Sequence, residues 1–302
     1  MHGRVMGMAT ALVVSAGAVL GAVALAAKAP ERGYVSSALA VPTSNTEARS
    51  LGRDIDHDGS EDNRFGQFTA VLASQGIDAQ GAVASAVTGG DLLMLHSLRT
   101  PSLTKTKKAT WQVQYAKPTA APDFSGSGSF TAATEPRSRM LPAKIKNHRV
   151  TTAAGAIPVR LTVGGGIFTL KLTNAKLFAT CSKTGCTDGR INGVVTTQQL
   201  NTELVPKLAE QFTLIVTRDC PGSDHTSCAA GSSGAQLQSM FDANDDLVIS
   251  AEELQTNPLV QSILAPDLDL VRANGKPGQD GVPDAMSAGI GFEAVKARLV
   301  RP

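Results

Sequence analysis

Oxygen-bearing side chains recur at short intervals near residue 250, and they are the residues of this chain best suited to chemistry. Counted from Asp242, they fall at positions 1, 3, 5, 9 and 12 of a twelve-residue loop, while position 7 needs only its backbone carbonyl. The candidate ligands are Asp242, Asn244, Asp246, Val248, Ser250 and Glu253. Calcium prefers about six to eight oxygens at roughly 2.3–2.6 Å, and this spacing wraps oxygens around one point. This segment, loop B (residues 242–253), therefore predicts a Ca²⁺ site.

Over about residues 234–265 the chain resembles an EF-hand calcium-binding helix–loop–helix. By that resemblance Glu253 is the bidentate ligand, and the apolar Ile249 at position 8 anchors the loop to the core. The pattern predicts an entering helix before Asp242 and an exiting helix that begins at Ala251.

One residue of loop B departs from the EF-hand pattern. Leu247 occupies position 6, where the family usually has glycine for a sharp turn with positive φ. A branched residue with positive φ costs about 1–2 kcal/mol, so we expect weaker binding or a distorted loop. The alternative is a decayed loop that is kept for its packing.

A second acidic segment, loop A (residues 54–62), begins with the pattern D-x-D-x-D-G. Its candidate ligands are Asp54, Asp56, Asp58 and Asp62. Gly59 occupies the turn position, but Glu61 at position 8 and Phe65 at position 12 depart from a full EF-hand. Loop A is more similar to the D-x-D-x-D-G-x-x-D loops of thrombospondin type 3 and dockerin-like repeats. By that resemblance Asp62 closes the ligand shell.

A third acidic stretch, segment C (residues 267–284), fits no single calcium loop. Its carboxylates are Asp267, Asp269, Asp280 and Asp284, interspersed with Asn274, Gly275 and Gly281. Several of these are natural turn formers, which favours turns over metal binding. The alternative is that they complete a shell with carboxylates from elsewhere.

Composition and charge limit the classes of protein to consider. The chain has 302 residues, is 42% hydrophobic and carries a formal net charge of +2, which excludes wholesale disorder and a grossly basic nucleic-acid binder. Charge is nevertheless segregated, because residues 99–218 hold 17 basic and 5 acidic side chains, whereas both flanks are acidic. The basic middle suits a cell-surface polymer or another protein as partner, and no specific nucleic-acid motif is present. A solvated basic face is the alternative.

The N-terminus and the cysteines both indicate export. Arg4 precedes an uncharged run to Ala27, so residues 1–27 match a bacterial signal peptide, with small residues before cleavage sites at Ala26 or Ala40. A retained N-terminal membrane anchor is the alternative.

Four cysteines in an oxidising compartment fit two disulfides, with three connectivities open. They are Cys181, Cys186, Cys220 and Cys228. The local pairs Cys181–Cys186 and Cys220–Cys228 close small loops, and the spacing is a poor match to zinc knuckles.

Hydrophobic alternation predicts the scaffold. Apolar and polar residues alternate over residues 111–115, 159–163, 168–172 and 212–216, which is typical of antiparallel strands with one wet face. Helical spacing appears at residues 65–72, 79–87 and 200–212. The expected fold is mainly β with helical flanks (α+β), an antiparallel β-sandwich or open barrel plus one EF-hand-like helix–loop–helix.

The expected organisation is a signal peptide, a linker at 28–50, the loop A region at 51–98, the β-scaffold at 99–218 and the acidic segment at 219–302. Five histidines are present and none lies in a recognised catalytic motif, so no catalytic residue is assigned.

The functional expectation is a secreted protein with structural Ca²⁺, acting as a surface, adhesion or interaction module. The alternative is a secreted hydrolase with an unrecognised active site and Ca²⁺ for stability. The whole chain also resembles secreted proteins of myxobacteria and their relatives, a group that has no assigned activity to carry over.

Overall fold

The computed structural model describes residues 29–163, 166–222, 227–271 and 278–301. The expected signal peptide at 1–27, and with it the alternative membrane anchor, lies outside the described residues. The strands are β1 Glu31–Ala40, β2 Met94–Arg99, β3 Lys105–Ala116, β4 Ser129–Arg137, β5 Leu141–Lys146, β6 Arg149–Thr152, β7 Gly155–Val163, β8 Gly166–Cys181, β9 Gly185–Thr196, β10 Ala285–Lys296 and β11 Arg298–Val300.

Short helices occupy the two flanks of the chain and the segment after β9. They are α1 Asn45–Ser50, α2 Arg64–Ser74, α3 Ala79–Gly89, α4 Thr197–Gln199, α5 Val205–Asp219, α6 Ser233–Phe241, α7 Ala251–Thr256 and α8 Pro258–Ile263, with a π-helical turn at Leu200–Leu204. The predicted helices after loop A and on both sides of loop B are confirmed.

The central sheet closes on itself. Neighbouring strands pair in the order β3, β2, β1, β10, β9, β8, β6 and β5, and β5 pairs in turn with β3. Each of these pairings is antiparallel. The mainly β, α+β fold is therefore confirmed, and the β3–β5 pairing gives it the form of a closed barrel.

Side chains fill the barrel, as expected for roughly eight strands. Trp111, Tyr34 and Tyr115 are at most 1% exposed, and they belong to the same buried cluster as the apolar faces of α2, α3 and α5. Alternation along β8 places Leu170, Leu172 and their neighbours inside and polar residues outside. The helical flanks are thus part of one core with the barrel.

Two stretches differ from expectation. Residues 28–50, predicted to be a linker, contain β1, which pairs with both β2 and β10. Residues 212–216, predicted to be a strand, lie within α5, where Phe212 and Val216 are buried and Leu214 is 50% exposed.

Candidate metal centre

Loop A is a tight loop whose base is closed by its own backbone. The N–H groups of Arg53 and Asp62 each donate to the other's carbonyl, at 3.3 and 3.2 Å. Gly59 has φ +91°, a left-handed backbone conformation that glycine adopts without steric cost because it has no side chain. The predicted glycine turn is therefore present, and His57 is exposed as expected.

Three carboxylates converge in loop A. Asp54, Asp56 and Asp58 each offer a carboxylate oxygen, and these oxygens lie within 4.8 Å of one another. No other trio of acidic, histidine or cysteine side chains in the described residues is gathered as closely. Oδ2 of Asp54 accepts the Gly59 N–H at 3.2 Å, whereas its Oδ1 is buried with no hydrogen-bond partner. The cluster thus presents concentrated negative charge and an unsatisfied oxygen, which are conditions that a hard cation relieves.

Asp62 lies beside the trio and is strained electrostatically. Burial raises the pKa of Asp62 to about 6, although a hydrogen bond from the Ile55 N–H at 2.6 Å opposes the rise. The neighbouring charges of Asp56, Asp267 and Asp58 contribute to this rise. The predicted fourth ligand therefore lies in the negative field of Asp56 and Asp58, but it does not belong to the trio that converges within 4.8 Å.

Asn63 fixes the position of loop A on the barrel, and sequence reasoning missed it. Its side chain caps α2 by accepting the Gly66 N–H and also accepts the Gly289 N–H, at 2.9 and 2.8 Å. Its amide donates to the carbonyls of Ala48 and Gly289. A buried amide with all these partners is a rigid clamp between α1, α2 and β10. The only signal in the sequence is an asparagine just before a helical pattern.

Segment C lies against loop A and repeats its hydrogen-bond pattern. In segment C the backbone N–H of Gly281 donates to Asp269, and that of Leu270 donates to Asp284. In loop A the backbone N–H of Gly59 donates to Asp54, and that of Ile55 donates to Asp62. The acceptor is the carboxylate Oδ2 in all four bonds. Ile55, Leu268 and their neighbours form a separate small apolar cluster that joins the two. These bonds support turn formation in segment C. Asn274 and Gly275 lie outside the described residues.

Loop B has the predicted helices on both sides, and its carboxylates accept backbone N–H groups of the loop, as Asp54, Asp56 and Asp58 also do in loop A. Asp242, which is 7% exposed, accepts from Asp246 and Leu247 through different oxygens, at 3.2 and 2.8 Å. Asp246 in turn accepts from Val248 at 2.8 Å. Asn244 and Asp246 are joined by a side-chain hydrogen bond of 3.1 Å.

Glu253 joins the two ends of loop B. Its carboxylate accepts the N–H of Ala243 at 2.9 Å and both the N–H and the hydroxyl of Ser250, at 2.8 and 2.9 Å. Burial alone would raise the pKa of Glu253, but these hydrogen bonds outweigh it and lower the pKa. Ser250 and Glu253 together form the capping box of α7.

Position 6 of loop B has the turn that glycine would normally make. Leu247 has φ +65°, so the backbone conformation predicted for this position is adopted by a branched residue. Its side chain packs partly against the main core. The left-handed turn is thus made at the cost of strain in a branched residue.

Thr213 of α5 is a second residue that sequence reasoning missed. Its hydroxyl accepts the Ile249 N–H at 2.9 Å and donates to the Ile249 carbonyl at 3.1 Å. Ile249 is 2% exposed, which confirms its predicted role as the apolar anchor. One side chain therefore satisfies both backbone groups of the residue in the middle of loop B.

Two disulfides are present, and both are local. They join Cys181 to Cys186 across the β8–β9 hairpin, and Cys220 to Cys228 after α5. The described residues contain no free cysteine. Structural disulfides persist in oxidising compartments, so the chain is suited to an exported environment.

The buried His96 pairs with Ser36, and the geometry shows which atom carries the proton. The indole N–H of Trp111 donates to Nδ1 of His96 at 3.3 Å, which leaves Nε2 protonated and donating to Ser36 Oγ at 2.9 Å. The ring stacks on Phe292, and complete burial lowers the pKa of His96 to about 3. A histidine in this tautomer does not accept the serine proton, so the pair lacks the nucleophile–base arrangement of a hydrolase.

Comparisons with protein-family models, with curated proteins and with solved structures found no match to this chain. Among the helices of the described residues, none is long and apolar enough to cross a membrane.

Proposed function

We propose that the protein is an exported calcium-binding protein in which Ca²⁺ fastens the helical flanks to the barrel, and that it acts as a surface, adhesion or interaction module. The convergence of Asp54, Asp56 and Asp58 within 4.8 Å carries this proposal. Carboxylate oxygens without imidazole or thiolate suit Ca²⁺ better than transition metals. In loop A, Asp62 completes the set.

The EF-hand-like loop B is the second site of the proposal. Its ligands are Asp242, Asn244, Asp246, the Val248 carbonyl, Ser250 and Glu253. The helices on both sides and the anchored Ile249 support this assignment. Both oxygens of Asp242 and of Glu253 already accept hydrogen bonds within loop B, whereas Asp54 of loop A has a free oxygen, so we expect loop B to bind Ca²⁺ more weakly than loop A.

Calcium has a structural role in this proposal, because loop A lies between two anchored segments. Asn63 follows the loop and clamps it to β10, while the Arg190 guanidinium holds the carbonyl of Ser50 before it, at 3.1 Å. Export follows from the disulfides together with the proposed removal of residues 1–27.

Thermal unfolding tests the proposal. The mature chain is melted in EDTA and again with millimolar Ca²⁺, as the parent and as Asp58→Asn, Glu253→Gln and the control Asp91→Asn, which removes an exposed carboxylate outside the loops. A ligand at a hundredfold excess over its Kd stabilises by about 2.7 kcal/mol, so the parent and the control should melt higher with Ca²⁺. Asp58→Asn should lose most of the shift and Glu253→Gln a smaller part. An unchanged melting temperature in the parent would contradict calcium binding.

A further inference from the structure

A groove of about 640 Å³ lies on the barrel. Its lining includes the small residues Ala38, Ala40 and Gly291 of β1 and β10. Arg149, Phe178 and Arg190 of β6, β8 and β9 also line it. Since these five strands are consecutive neighbours in the sheet, the groove extends across the strands.

Unpaired positive charge borders this groove. Strand register places Lys105 opposite Lys146 and Lys146 opposite Arg149, so three cations lie side by side on β3, β5 and β6. Like charges directly opposite each other destabilise a sheet. Within the part of the chain that the structure describes, none of the three forms a salt bridge. A bound anion would offset the repulsion between these three cations.

Arg190 is held in place for binding inside the groove. Its guanidinium lies over the ring of Phe178, at 5.8 Å from the ring centroid, and donates one hydrogen bond to the Ser50 carbonyl at 3.1 Å. The planar guanidinium has further N–H groups, whose fork geometry matches a carboxylate or sulfate. Little side-chain freedom remains to be lost on binding.

The groove also contains carboxylates, and these select among polyanions. Glu293 and Asp188 line it, and Glu293 accepts the Asp188 backbone N–H at 3.1 Å. Neither forms a salt bridge with Arg149 or Arg190 in the described residues. A polyphosphate backbone offers these carboxylates no hydrogen-bond donor, whereas sugar hydroxyls donate to them. Arg190 covers one face of Phe178, and Phe292, which also lines the groove, is 3% exposed, so these two described aromatic rings offer little surface for stacking a nucleic-acid base.

We propose that this groove binds an acidic polysaccharide. Arg149 and Arg190 hold its carboxylate or sulfate groups, Glu293 and Asp188 accept its hydroxyl protons, and the lysines beside Arg149 extend the contact along the chain. The inference adds a ligand to the interaction role proposed above. Glycan binding and Ca²⁺ binding are tested by different measurements, a titration and a shift in melting temperature, so either proposal can fail without the other.

Isothermal titration calorimetry on the mature, disulfide-bonded chain tests this, in Ca²⁺ and again in EDTA. The probes are polygalacturonate, dextran sulfate, neutral dextran, double-stranded DNA and phosphatidylglycerol vesicles. Binding of either acidic glycan, with no binding of neutral dextran, is expected. The two acidic probes distinguish carboxylate from sulfate recognition. DNA or vesicles binding as tightly as both glycans would overturn the proposal in favour of a general polyanion or membrane surface.

Matched variants locate the binding. Arg149→Gln with Arg190→Gln should weaken glycan binding at least about tenfold, because two charge-assisted contacts are lost. Lys171→Gln with Lys207→Gln removes the same charge outside the groove and should change affinity less than about twofold. The single variant Arg149→Gln, whose side chain makes no hydrogen bond or salt bridge in the described residues, provides the test if the double variant is misfolded. Equal losses in the groove and control pairs would overturn the assignment.

One further substitution separates recognition from simple charge attraction. Glu293→Gln retains the oxygen that accepts from Asp188 but removes a negative charge. A glycan that donates hydroxyls to Glu293 should bind about threefold or more weakly to this variant. Tighter binding would show attraction by net charge alone, and it would overturn the proposed site.

Discussion

Loop B fits the calcium-loop pattern better in sequence, whereas loop A brings its carboxylates closer together in the structure. Loop B has the more complete calcium-ligand spacing, with Glu253 at position 12, yet its Asp242 oxygens both accept backbone N–H groups. Loop A ends without a glutamate, yet it gathers three carboxylates and leaves an oxygen of Asp54 buried and unsatisfied. Both loops use carboxylates to accept their own backbone N–H groups, as Asp54, Asp56 and Asp58 do in loop A. They differ because loop A gathers three carboxylates and keeps one free oxygen, whereas both oxygens of Asp242 in loop B are bonded.

Acid pH should destabilise the protein through a residue outside both loops, the buried His96, and this effect has to be separated from that of the loop carboxylates. His96 has a pKa of about 3 when folded, against 6.5 for an ordinary histidine, so between these values the unfolded chain binds the additional proton. Stability should be intact above pH 6.5 and fall by up to about 1.4 kcal/mol per pH unit as the pH decreases toward 3. Urea unfolding as a function of pH measures this slope.

Two substitutions test that assignment. His96→Gln offers an acceptor for Trp111 and a donor for Ser36 without titrating, so the His96 part of the slope should disappear. His148→Gln, at an exposed position, should retain it. A parent slope that survives in His96→Gln would place the acid sensitivity in the carboxylates of the loops.

Removing one charge from each loop should change stability in opposite directions without calcium. Asp242→Asn leaves one of two backbone donors without an acceptor, which should cost about 1–3 kcal/mol. Asp54→Asn reduces repulsion with Asp56 and Asp58, and its amide can accept the single Gly59 N–H, so this variant should be equally or more stable than the parent. Urea unfolding in EDTA gives both values. The same sign in both variants would remove the distinction between the loops.

Strands and helices could be predicted from the sequence where one face contacts solvent, but not where both faces are buried. Alternation identified β3 and β8, whereas β1 and β10 were missed. Tyr34, Val35 and Ser36 of β1 are all buried, because the barrel core lies on one side and a second apolar cluster on the other. Most of β10 is buried as well, and its small residues carry no period of two. Such strands lack the pattern on which sequence reasoning depends.

The candidate ligands were found from spacing, but the residues that hold the loops were not. Asn63 reaches Gly289, which is 226 residues away in sequence, and Thr213 reaches Ile249 across 36 residues. Contacts at such separations follow from the barrel topology, and no local motif encodes them. The disulfides were more accessible to prediction, because each closes a short segment.

Thr213 provides a test of whether loop B depends on its anchor. Thr213→Val keeps the shape but leaves the Ile249 N–H and carbonyl without partners, which should destabilise by about 1–2 kcal/mol. Thr213→Ser keeps the hydroxyl and should lose less. The calcium shift that belongs to Glu253 should decrease in the valine variant only, as measured by melting with and without Ca²⁺. An unaffected loop B signal in Thr213→Val would show that the loop holds its shape without the anchor.

The smallest expected effect concerns the strained turn of loop B. Because Leu247 already has φ +65°, the turn expected at position 6 of a calcium loop, its strain belongs to the folded protein and should affect stability more than calcium affinity. Leu247→Ala and Leu247→Gly both remove the partly buried side chain, but only glycine relieves the left-handed strain. The Leu247→Gly protein should therefore be more stable than the Leu247→Ala protein by about 1 kcal/mol, the reverse of the usual order for these two residues. Urea unfolding in EDTA measures the difference, and calorimetry with Ca²⁺ should find similar affinities for loop B in the two variants. A large gain in affinity with glycine would mean that the turn must change when the ion binds.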